Sequence, residues 1–197
     1  MRFTKLVLFS AALLIGGSAF AQKIKVTSGD LKELKGVTKI KITYDYSNLS
    51  VGDFKNENDY IAKKMADAEK SKPGTGETWK SKWYSDRPGK FEPKFEELFT
   101  KYAKDIQSGK AVESDVVMNI HTTFIEPGFN VGVMRKPSYI NLLITFTKAN
   151  AQIAVVELTK SPGQDAMGFD YDAGYRMGEA YAKAGKSMGA FLVKSLK

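Results

Sequence analysis

Residues Tyr139 to Thr159 read Tyr-Ile-Asn-Leu-Leu-Ile-Thr-Phe-Thr-Lys-Ala-Asn-Ala-Gln-Ile-Ala-Val-Val-Glu-Leu-Thr, and this run decides the fold class. From Tyr139 to Thr147, Ile140, Leu142, Ile144 and Phe146 alternate with Asn141, Leu143 and Thr145. A period of two puts each set on its own face of a strand, so this strand is half-buried. Ala149 to Gln152 makes a short connection, and Ile153 to Thr159 follows as a second strand. The pair predicts an antiparallel hairpin.

The same pattern recurs upstream. Val37 to Asn48 places Ile40, Ile42, Tyr44 and Tyr46 on one face, with Lys39, Lys41, Thr43 and Asp45 on the other. Asp115 to Phe124 places Val116, Met118, Ile120 and Phe124 opposite Val117, Asn119, His121 and Thr123. Glu126-Pro127-Gly128 suits a turn with proline and glycine at its central positions. Val131 to Met134 is a candidate short strand before Pro137.

Helical spacing appears three times. Asn56 to Ser71 carries Tyr60, Ile61, Met65 and Ala68 on one stripe, with Asn56 or Asn58 as N-cap, and Lys72-Pro73-Gly74-Thr75-Gly76 ends it. Pro93 to Gln107 carries Phe95, Leu98, Phe99, Tyr102 and Ile106. A loop holding Trp79, Trp83, Tyr84 and Arg87-Pro88-Gly89 is expected between these two helices. A long last helix runs from Asp170 or Asp172, as capping carboxylates, to Leu196. Gly174, Gly178 and Ala182 recur along it every four residues, then Gly185 and Gly189 do the same. Glycine costs about 1 kcal/mol against alanine inside a helix, so close packing of the helix on the sheet is the expected compensation.

Strands with one apolar and one polar face need cover on one side only. The expected fold is therefore α+β: a mixed or antiparallel sheet of four to five strands, with two or three helices on one face and the other face bare.

The N-terminus is of a different kind. Arg2 and Lys5 precede an apolar run from Leu6 to Ile15, and Ala19-Phe20-Ala21 supplies the small-x-small pattern of signal peptidase. Residues 1–21 are thus expected to be a Sec-type signal peptide, since a membrane span needs about 20 apolar residues. Residues 22–197 are expected to form a single domain beginning at Gln22. Periplasm is the favoured destination, with the extracellular medium as the alternative.

Cysteine is absent, which excludes disulfides, thiolate metal sites and a cysteine-linked lipid anchor. The formal charge is +8, and losing Arg2 and Lys5 leaves +6. Such a surface favours anionic partners, although scattered lysines also serve as a solubilising coat. Nucleic acid is not expected to be a partner of an exported chain.

Catalytic motifs are sparse. His121 is the single histidine, and no Gly-x-Ser-x-Gly elbow follows a strand to supply a nucleophile. A hydrolase built on His121 is the least favoured reading. Asp165, Asp170 and Asp172 lack the glycine turn and terminal glutamate of a calcium loop. Gly74-Thr75-Gly76 is a lone fragment of a phosphate loop, and no cofactor or metal is expected.

Trp79 to Phe91 is the candidate binding segment. Trp79, Trp83, Tyr84 and Phe91 are interleaved with Lys80, Lys82, Arg87 and Lys90. Rings among cations can stack on sugars or hold anionic groups. The alternative is that Trp79 and Trp83, four apart, form a helical turn closing the core. A second candidate surface is the bare sheet face, where Tyr139, Leu143, Ile153 and Val155 offer an interface for a partner or a second copy in a homodimer.

The export signal, the strand–turn–strand run from Asp115 to Thr159 and the glycine-striped last helix together resemble uncharacterised secreted proteins of Gram-negative bacteria. The element order also looks like the small α/β domain in the N-terminal part of TolB and in the curli-secretion lipoprotein. That resemblance implies an envelope-associated, non-enzymatic role through protein contacts or assembly. The chain departs from the lipoprotein members in lacking the anchoring cysteine. The expected function is an exported binding or scaffold protein of the cell envelope, with an envelope protein or glycan as partner. The alternative is a glycan or anionic-lipid binder acting through Trp79, Trp83, Tyr84 and Arg87.

Overall fold

The structure is a computed structural model and describes residues 21–130, 134–163 and 172–197. In chain order its elements are β1 (Lys23–Gly29), β2 (Lys39–Asp45), β3 (Ser50–Val51), α1 (Glu57–Ser71), α2 (Gly76–Asp86), α3 (Glu92–Ala103), β4 (Gln107–Gly109), β5 (Val116–Glu126), β6 (Phe129–Asn130), β7 (Arg135–Lys136), β8 (Tyr139–Lys148), β9 (Ala151–Pro162) and α4 (Ala173–Ser195). The fold is α+β, with a mixed sheet covered by helices.

That sheet has seven strands, not four to five. Their order is β1-β9-β8-β5-β2-β4, with β3 pairing beside the end of β5. The β2–β4, β2–β5 and β3–β5 pairs are parallel, and the rest are antiparallel. The additional strands have physical reasons to escape a periodicity argument. β3 and β4 are two and three residues long, too short to show a period. β1 is an edge strand, and the covering helices bury hardly any of it. The β6–β7 ribbon sits apart; the short strand expected at Val131–Met134 falls mostly on residues 131–133, outside those described.

The central hairpin is as read, with a tighter connection. β8 and β9 join through Ala149 and Asn150, both at positive φ (47° and 67°), the backbone of a two-residue turn that matches strand twist. Ile140, Leu142, Ile144 and Phe146 are fully buried, as are Ile40, Ile42, Met118 and Ile120. Phe124 is the exception to its strand's pattern. The pairing of β5 with β8 slips between Thr122 and Phe124, so Thr122 and Ile125 are buried while Phe124 turns outward onto Tyr139, with ring centroids 5.4 Å apart. One extra residue in a strand reverses the faces beyond it.

The stretch expected as a loop is helical. α2 carries Trp79, Trp83 and Tyr84, and Arg87–Phe91 continues it as a π-turn into α3. There the Glu92 N–H donates to the Arg87 carbonyl, five residues back. This register takes up Pro88, which has no N–H to give, without breaking the rod. Residues 76–103 therefore form one continuous helical element, the second of three. α3 is shorter than expected, since Lys104 turns to φ 57° and Gln107 belongs to β4.

α3 and α4 lie side by side on the sheet. The glycine stripe faces α3, a correction to its expected packing on the sheet. A Cβ at Gly185 would stand 2.3 Å from the Phe95 carbonyl oxygen, and one at Gly189 2.7 Å from that of Phe99. Toward the sheet α4 turns Met177, Tyr181, Ala184 and Met188, all buried. The Tyr181 hydroxyl pairs with that of Thr122 at 2.6 Å. No helix among the described residues is long and apolar enough to cross a membrane.

Candidate functional site

A cleft of about 600 Å³ lies where α1, α2, the Pro127–Gly128 turn and the start of α4 meet. Its aromatic wall comes from two helices. Trp79 and Trp83, one turn apart on α2, stack with centroids 5.7 Å apart and planes 14° from parallel. Tyr60 of α1 closes on both, at 5.9 Å and 5.0 Å. Edge and offset contacts of this kind suit the aromatic quadrupole. Burial pushes the Tyr60 hydroxyl up to about 12, with Glu126 adding to the shift, so it stays neutral.

Beside it stands a cluster of charge, since Lys82 and Asp86 share α2 with the two tryptophans. Lys82 Nζ lies 3.4 Å from Asp86 and 3.1 Å from Asp172, and Lys90 Nζ lies 2.8 Å and 3.2 Å from the same two carboxylates. Gly174 makes room for it, since a Cβ there would stand 2.1 Å from Asp86 Oδ2. Asp172 also caps α4 by accepting from the Gly174 N–H at 2.8 Å. Partial burial works against the Asp172 charge. Hydrogen bonds from Lys82, Gly174 and Lys90 outweigh it and hold the carboxyl below its usual range. Lys90 is likewise disfavoured by burial, yet Asp86 and Asp172 raise it above the ordinary lysine value.

The third wall is braced from beneath. Arg176, buried on α4, donates to the carbonyls of Pro127 and Gly128 at 3.1 Å each. This anchors the turn that presents Phe129, 43% exposed, to the cleft. Lys64 of α1 completes the rim, with no salt-bridge partner within 4.0 Å among the described residues.

No family model, curated protein or solved structure matches the chain.

The four residues singled out from the sequence divide into two pairs. Trp79 and Trp83 line the cleft. Trp83 is almost wholly buried, and its indole N–H is committed to Glu57 at 2.5 Å. Trp79, half-buried, is the ring left to meet a ligand. Tyr84 and Arg87 lie outside the cleft. Arg87 is paired with Glu57, and its guanidinium sits 4.2 Å from the Tyr46 ring centroid and 5.0 Å from that of Tyr84. It staples α1 to the π-turn, so cation–π geometry is present but spent within the fold. Phe91 is core, stacked on Tyr181.

His121 lies on the sheet face turned away from the helices, its Nε2 2.8 Å from the Ser47 carbonyl oxygen. Asp165 and Asp170 fall outside the described residues. Glu69 fills the Gly74-Thr75-Gly76 fragment, accepting from the Gly74 and Gly76 N–H groups at 2.7 Å and 2.6 Å. Sequence reasoning missed Tyr60, Lys64 and Phe129. The i, i+4 spacing of Tyr60 and Lys64 puts them on one helix face, but that period alone does not say which element the face meets.

Proposed function

We propose that this chain is an exported, non-enzymatic binding protein of the cell envelope that holds a partner protein in the cleft beside Trp79. One juxtaposition carries the reading: an aromatic wall, Trp79–Trp83–Tyr60, set beside the Lys82–Asp86–Lys90–Asp172 cluster. The cleft volume falls in the range of about 300–1,000 Å³ typical of ligand sites. Exposed aromatic surface adjoins it, at Phe129 and at Tyr175, which is 62% exposed. Aromatic residues of this kind anchor protein interfaces. With the two carboxylates balanced by Lys82 and Lys90, the positive charge of Lys64 suits an acidic segment of the partner. The signal-like N-terminus and the resemblance of the element order to envelope domains support the compartment.

The test is capture from the envelope of exporting cells, comparing the wild-type chain with a Trp79→Ala/Lys64→Glu variant of equal thermal stability. A protein retained by the first and lost by the second is the expected result. Equal recovery by both, or nothing above background with either, would sink the proposal.

A second reading rests on the same ring. Trp79 beside lysine and aspartate groups also suits a sugar, whose apolar face stacks while its hydroxyls meet the charges. Tryptophan fluorescence titrated with envelope polysaccharides should shift in the wild type and not in Trp79→Ala. A spectrum unmoved across such a panel removes the idea.

A further inference from the structure

Gln22 is the residue that the Ala19-Phe20-Ala21 pattern would expose as a new N-terminus, and its side chain is placed unusually. Its amide carbonyl oxygen, Oε1, accepts from the Ser187 hydroxyl of α4 at 3.1 Å. Its amide nitrogen, Nε2, is buried with no hydrogen-bond partner. The chain then enters β1 at Lys23, which pairs with Thr159, so this amide sits against the folded domain.

We propose that Gln22, once it is the first residue, closes to pyroglutamate with Ser187 as the hydrogen-bond donor to the reacting carbonyl. The inference rests on cleavage after Ala21. The free α-amine attacks Cδ, and a bond forms between the α-nitrogen and Cδ. The Cδ–Nε2 bond breaks, a proton passes from the α-nitrogen to Nε2, and ammonia leaves. Nothing is oxidised or reduced. An α-amino group has a pKa near about 8, so a useful fraction is unprotonated at neutral pH. Ser187 already points its hydroxyl at Oε1, where negative charge develops as Cδ becomes tetrahedral, and a preorganised donor there stabilises the transition state.

The product also fits the fold better than the glutamine does. The atom lost is Nε2, whose donors are buried and unsatisfied, a costly state. The atom kept is Oε1, the acceptor of the Ser187 bond, which becomes the lactam oxygen. Cyclisation also removes the N-terminal charge beside a surface already rich in lysine.

The test uses the full chain exported through the Sec pathway of a Gram-negative host, with mass spectrometry and N-terminal sequencing at intervals after harvest. Expected is a chain starting at residue 22, lighter by one ammonia, and blocked to Edman degradation until pyroglutamyl aminopeptidase is added. Ser187→Ala should cyclise roughly a hundredfold more slowly, the lower end of the effect of losing such a donor. A persistent unblocked Gln-Lys-Ile sequence would overturn cyclisation while leaving the cleavage reading intact. Equal rates in the wild type and Ser187→Ala would overturn the role of Ser187. A chain starting elsewhere, or left uncleaved, would overturn the cleavage itself.

Discussion

Trp83 and Arg87 share one carboxylate oxygen: Glu57 Oε1 accepts the indole N–H at 2.5 Å and also pairs with the Arg87 guanidinium. Both side chains of that ion pair are largely buried, 15% and 14% exposed. Removing the carboxylate strands two donors. Glu57→Ala should destabilise the fold by about 3 kcal/mol, the scale of an orphaned buried charge. Glu57→Gln, which keeps an acceptor, should lose less. Urea unfolding of the two variants measures the difference, and equal losses would refute the sharing of that oxygen as the main effect.

The glycine stripe predicts opposite outcomes at two positions. Gly185→Ala drives a Cβ into the Phe95 carbonyl and should cost about 1–3 kcal/mol through forced separation of α3 and α4. At Gly178 the nearest atom to a new Cβ is 3.8 Å away, which is ordinary contact. Gly178→Ala should therefore stabilise by about 0.5–1 kcal/mol through helix propensity. Thermal denaturation of both variants decides the matter.

Acid should act through Asp172. Its carboxyl is held below the usual range, so its contribution is present above an unfolded value near about 3.9 and is lost as pH falls through the lower folded value. Lys90, raised in the fold, contributes below the ordinary lysine value and loses that contribution only as pH rises beyond it. The charge cluster thus spans the neutral window intact. Asp172→Asn should flatten the dependence of the urea midpoint on pH below about 4, while an unchanged slope would place the acid sensitivity elsewhere.

The buried pair Thr122–Tyr181 tests polar satisfaction inside the core. Both are wholly buried, with their hydroxyls 2.6 Å apart. Tyr181→Phe alone should cost about 1–2 kcal/mol, because the Thr122 hydroxyl loses its partner. Thr122→Val alone should do the same. The double variant should cost clearly less than the two losses added together.

How far the sequence carried depended on whether burial repeats at short range. Ile40, Ile42, Ile140, Leu142, Ile144 and Phe146 obey a period of two because each strand packs one whole face under helices, so their inward orientation was readable. Phe124 was not, since a bulge is a matter of pairing register between two chain segments. Arg87-Pro88-Gly89 misled for a related reason: proline and glycine oppose helix locally, and here a π-turn and the Glu57–Arg87 staple override them. The aromatic segment was legible as chemistry, and Trp79 does line the cleft. Its other walls, Tyr60, Lys64 and Phe129, come from distant parts of the chain, and no local pattern brings them together.

The pairing of Lys23 with Thr159 also bears on the moment of assembly. A strand this early in the chain finds its neighbour only after most of the residues behind it have been made, since β9 is the last strand among the described residues. Closing so long a loop is slow. Until β9 has been made, β1 therefore stands as an unmated edge, open to chaperones.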